Sequence, residues 1–78
     1  MTGNQLRAAR ALAGLDQSHL AESAGVSVNT IRNLEGAGAG LVKSRMDTVH
    51  KLVAALEAAG VVFLPENGNG PGVALRKE

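Results

Sequence analysis

The chain has 78 residues, a net charge of +1 and no cysteine. It makes one domain near the lower size limit for an unaided core, and disulfides and thiolate metal sites are excluded. No apolar run approaches the roughly 20 residues of a bilayer-spanning helix, and the N-terminus lacks a secretory pattern, so a cytoplasmic protein with no membrane partner is expected.

His19 and His50 lie far apart without ligand-like spacing, so neither a metal nor a cofactor is expected, and stability is left to helix packing, oligomerisation or both. The net charge does not announce a nucleic-acid partner, but Arg32, Lys43, Arg45 and Lys51 fall within twenty residues whose only acids are Glu35 and Asp47. The one aromatic residue, Phe63, offers no stacking platform for single-stranded nucleic acid.

Residues 1–60 read as helices. Thr2 and Gln5 have capping-box spacing, and the helix they open carries Leu6, Ala9 and Ala13 on one face until Gly14 ends it. Asp16 opens a second, short helix with Leu20, Ala21 and Ala24 facing inward, and Gly25 breaks it in the left-handed conformation. Val26 follows as an apolar plug, and Ser27 caps a third helix that runs through Leu34. Gly36 to Gly40 reads as a flexible connector. Ser44 with Asp47 predicts a capping box for a fourth helix bearing Met46, Val49, Leu52, Val53 and Leu56 and ending at Gly60.

Residues 61–78 change period. Two short apolar runs, residues 61–64 and 73–76, flank Pro65 and the Gly/Asn-rich stretch from Asn67 to Gly72, which predicts a β-hairpin or strand pair. The fold class is therefore mainly α, four helices with a C-terminal β extension. An isolated hairpin is only marginally stable. It must pack on the helices or pair with a second chain, and Val61, Val62, Phe63, Leu64, Val73 and Leu75 are the candidate dimer interface.

Two short helices joined by a Gly-containing turn have the geometry of a helix-turn-helix, here with residues 16–35 as the reading head. Ala21 lets the helices cross closely, and Val26, Ile31 and Leu34 fill the space behind them. Val28, Asn29, Arg32 and Asn33 are left as outward positions of the third helix. Arg can bond guanine bidentately, Asn can bond adenine, and Val can pack on a thymine methyl, so these four are the candidate base readers.

The string Leu6-Arg7-x-x-Arg10, Gly14-Leu15-x-Gln17, Leu20-Ala21, Ala24-Gly25-Val26-Ser27, Thr30-Ile31 and Leu34-Glu35 resembles the phage-repressor and Cro type of helix-turn-helix protein. The likeness is close over residues 6–35 and looser over 44–56, where Thr48, Lys51 and Leu52 match. It implies a lambda-repressor-like bundle of four or five helices, sequence-specific binding of double-stranded DNA and transcriptional regulation in a bacterial or phage setting, on the nucleoid when bound. It also implies that Gln17 meets the phosphate backbone and that Arg10 and Glu35 form a structural ion pair, with Arg7 only a solvated charge. Ser27, Thr30, Lys43, Ser44 and Arg45 complete the candidate phosphate contacts, because helix N-termini and nearby basic groups favour anions.

A repressor acting as a homodimer on a palindromic operator is the leading expectation. The alternative is a protein-interaction module on the same fold, such as an antitoxin or anti-activator. No Ser/His/Asp or Cys/His set is evident, so an enzyme is not expected. The glycine runs at 36–40 and 68–72 lack the context of a nucleotide site.

Overall fold

The computed structural model describes residues 1–64, Gly68 and residues 70–76. Four helices precede a two-stranded antiparallel sheet: α1 (Gly3–Leu12), α2 (Gln17–Ala24), α3 (Val28–Glu35), α4 (Met46–Ala58), β1 (Val61–Leu64) and β2 (Gly72–Leu75). Residues 65–67 and Asn69 of the expected hairpin turn lie outside the described residues.

The start of α1 leaves no helix-end donor unmet. The Thr2 Oγ1 accepts from the Gln5 backbone N–H at 2.9 Å, and the Gln5 Oε1 accepts from the Thr2 N–H at 3.0 Å. The N–H groups of Gly3 and Asn4 donate to the carbonyls of Gly40 and Gly38 at 3.2 and 2.8 Å. These four bonds satisfy donors that a helix cannot satisfy itself. Two come from the segment expected to be a flexible connector. Residues 36–40 instead lie against α1, and Val42 N–H donates to Met1 O at 3.0 Å. Sequence reading missed this because the bonds use backbone groups more than thirty residues apart.

Caps fix the next two helices as the sequence predicts. The Asp16 side chain accepts from the His19 N–H and the Ser27 side chain from the Thr30 N–H, while Gly25 ends α2 at φ 72°. The fourth helix differs. Its N-cap is Arg45, with no side-chain cap bond. Ser44 thus stands one residue too early to cap, and Asp47 lies 3.4 Å from the Arg45 guanidinium instead. Met46, grouped in the sequence with the apolar residues of this helix, is 73 % exposed, whereas Leu52 and Leu56 face the core from later turns.

The core gathers Leu6, Ala9, Leu20, Ala21, Ala24, Ile31, Leu34, Leu52, Leu56 and Val61. The pairing Val61↔Leu75 and Phe63↔Val73 puts these four side chains on one face of the sheet, because directly paired residues share a face. Phe63 and Val73 pack against the core that contains Val61. Gln5 Nε2 also donates to Gly72 O at 3.1 Å, which ties α1 to β2. The hairpin thus folds back on its own helices. Val61, expected at a dimer interface, is fully buried in the chain's own core, and Phe63 and Val73 pack half-buried against it. Among the described residues, no helix is long and apolar enough to cross a membrane.

Candidate nucleic-acid interface

Helices α2 and α3 are held at a fixed angle by Gly25 and by what lies behind them. Val26 N–H donates to Ala21 O at 3.0 Å across the turn. Ile31 and Leu34 are buried, so one side of α3 is anchored. The opposite side carries Asn29, Arg32 and Asn33, all exposed, at i, i+3 and i+4 on a single face. Arg32 Nη1 donates to Asn29 Oδ1 at 3.0 Å, so these two side chains are ordered against each other. Val28, the fourth candidate reader, is half-buried and packs against the core from the first turn of α3.

Glu35, at the end of α3, is the one buried charged residue among those described, with 2 % exposure. A buried carboxylate must be paired and hydrogen-bonded to be tolerated. Arg10 supplies both, donating from Nε to Oε2 at 2.7 Å and from Nη2 to Oε1 at 3.0 Å. Its Nη1 also donates to Leu15 O at 3.1 Å, so one guanidinium joins α1, the loop before α2 and α3. Burial pushes the Glu35 carboxyl up, but hydrogen bonds from Arg10 and Gln17 and the charges of Arg10 and Arg7 outweigh it and hold it below its ordinary value. The hydrogen bond to Glu35 raises Arg10 in turn, against its own partial burial.

Gln17, expected at the phosphate backbone, donates from Nε2 to Glu35 Oε1 at 3.2 Å. Arg7, read from the sequence as a solvated charge, has its Nε 3.7 Å from the same oxygen while remaining 60 % exposed. Neither contact was legible in the sequence, since three helices must first converge.

Ser27 Oγ lies 2.9 Å from Thr30 Oγ1, so the two hydroxyls share one hydrogen bond at the start of α3. Lys43, Ser44 and Arg45 are all exposed in the approach to α4. His19 Nδ1 lies 2.9 Å from Asp16 Oδ1 at the exposed start of α2. The Asp16 carboxyl is lowered, chiefly because it accepts from the His19 backbone N–H. Among the described residues, no group of His, Asp and Glu could hold a metal ion.

A helix-turn-helix domain family matches residues 3–63. The chain belongs to that family. The matched span takes in α1 to α4 and most of β1, so the domain as the family defines it includes α2 and α3, the Arg10–Glu35 pair and the buried Val61. Helix-turn-helix domains are a DNA-binding fold, and α2 and α3 are the pair of helices that give this one its name. No curated protein matches the chain.

Proposed function

We propose that this helix-turn-helix protein is a transcriptional regulator that reads double-stranded DNA in the major groove, as a repressor dimer on a palindromic operator. The observation that carries the reading is the division of α3. One side is locked into the core by Ile31 and Leu34, and the other presents Asn29, Arg32 and Asn33 to solvent. Those amide and guanidinium groups match adenine and guanine edges. Val28 lies beside them for an apolar contact. Gln17, Ser27, Thr30, Lys43, Ser44 and Arg45 fix the register on the phosphates.

One such module buries little surface, and two-fold pairing doubles it. The outer face of the hairpin is the surface for that pairing. Val62, Leu64 and Ala74 lie on it, opposite the core-facing set, and no polar side chain interrupts them. An antiparallel sheet with water on one side ordinarily carries polar residues there. Leu64, on this outer face, is 45 % exposed.

Selection of bound sequences from a random duplex pool at near-physiological salt tests the reading. An enriched palindrome with half-sites about ten base pairs apart supports it. No enrichment from a folded protein favours the second reading, a module that holds a protein partner. The exposed Leu41 and Met46, at 69 % and 73 %, are the observation in favour of that alternative.

A further inference from the structure

We infer that Arg7 is a DNA contact, gripping a backbone phosphate beside Gln17 at a point separate in sequence from the Lys43–Arg45 segment. The inference rests on the DNA-binding reading above and deepens it.

The charge balance at Glu35 leads there. Its two oxygens already accept three hydrogen bonds, from Arg10 Nε, Arg10 Nη2 and Gln17 Nε2, at 2.7, 3.0 and 3.2 Å. Its single negative charge is matched by Arg10, whose side chain is only 19 % exposed. Arg7 stands one turn before Arg10 on α1 and is a second cation on one carboxylate. Arg7 and Arg10 together thus carry one positive charge more than Glu35 itself, with Asp16 acting on Arg10 from outside this contact, and Arg7 is the exposed member.

The geometry of Arg7 differs from that of a structural partner. A guanidinium recruited to stabilise Glu35 closes to hydrogen-bond distance and gives up its exposure. Arg7 does neither: its Nε stays 3.7 Å from Oε1, beyond hydrogen-bond reach, with 60 % of the side chain in solvent. Glu35 limits where Arg7 can go without using its donors, and a guanidinium with free donors is suited to bidentate contact with a phosphate. Gln17 converges on the same Oε1 from α2. Its amide nitrogen has two N–H groups, and the bond to Glu35 uses one. The second donor is left for the same oxyanion that Arg7 would hold.

The test is the salt dependence of duplex binding, measured by fluorescence anisotropy for the unaltered chain, Arg7→Gln, Arg7→Lys and the charge-matched Arg76→Gln, with thermal unfolding of each. Arg7→Gln is expected to weaken binding to all sequences alike and to lower the slope of log K against log salt by about one unit per bound protomer. Arg7→Lys should keep most of that slope, and the melting temperature should change little in either variant, since the exposed Arg7 adds only the last of the contributions that lower Glu35. An unchanged slope with a lowered melting temperature makes Arg7 a structural cation and overturns the inference. An equal loss of slope in Arg76→Gln reduces the effect to net charge and overturns it too. If the unaltered chain binds no duplex at any salt, the DNA-binding reading fails and Arg7 falls with it.

Discussion

Arg10 meets Glu35 in a two-point fork, Nε to Oε2 at 2.7 Å and Nη2 to Oε1 at 3.0 Å, across a sequence separation of 25 residues. The pair locks the end of α3 to α1. Arg10→Ala leaves Glu35 buried without its charge partner, and the expected loss is about 3–5 kcal/mol of stability in urea unfolding. The double variant Arg10→Met, Glu35→Leu removes both charges and is expected to lose less than Arg10→Ala alone.

The same carboxylate makes stability depend on acid. Its folded value lies below the ordinary value, so the contribution is complete at neutral pH. It fades as pH falls below the unfolded value of about 4.3 and is gone below the lowered folded value. In circular dichroism at fixed urea, Glu35→Gln should start less stable at neutral pH and show a flatter loss on acidification.

Gly3→Ala is expected to destabilise the chain by about 1–3 kcal/mol in thermal unfolding, because overpacking here cannot be relieved by a side chain. A Cβ at Gly3 would stand 2.7 Å from Leu34 O, 2.8 Å from Glu35 O and 2.8 Å from Gly38 N, all backbone atoms. Either α1 or the end of α3 with the segment after it must move.

Arg32→Ala and Lys43→Ala should separate base reading from phosphate contact. The first is expected to cost about 1–3 kcal/mol and to relax preference at one base position, and the second to weaken every sequence alike. Quantitative binding to an operator and to its single-base variants distinguishes the two patterns. Unchanged operator binding by Arg32→Ala would remove α3 as the reader.

Leu64→Lys tests the outer face of the hairpin. Leu64 is 45 % exposed and opposite Gly72, so the change leaves the core intact. The expected outcome is a light-scattering mass that falls from dimer to monomer with the helical content kept. A monomeric mass for the unaltered chain, both free and on DNA, removes the dimer.

What could be read from the sequence divides by distance along the chain. The Thr2–Gln5 box, the Asp16 and Ser27 caps and the left-handed Gly25 follow from neighbours within one helical turn, where residue chemistry decides conformation. Leu6, Leu20, Ile31, Leu52 and Leu56 were legible from period alone. Ser44 misled because a capping pattern does not say on which residue the chain leaves its extended approach. Glycines 36, 38 and 40 suggested a loose connector, yet α1 draws its missing acceptors from Gly38 and Gly40. The approach of Arg7 and Gln17 to Glu35 needs three helices in place before it exists. The division of the strands into a core face and an outer face likewise needs the register, which composition alone does not set.

The two sides of α3 also separate what can vary from what cannot. Asn29 and Arg32 bond each other and Asn33 is exposed, while Ile31, Leu34 and Glu35 hold the helix in place. Mutations on the first side can therefore accumulate without threatening the fold. Under the proposed reading of α3, a lineage carrying this domain can rewrite the word it recognises by single steps, each variant still folded and still able to be selected for a new target.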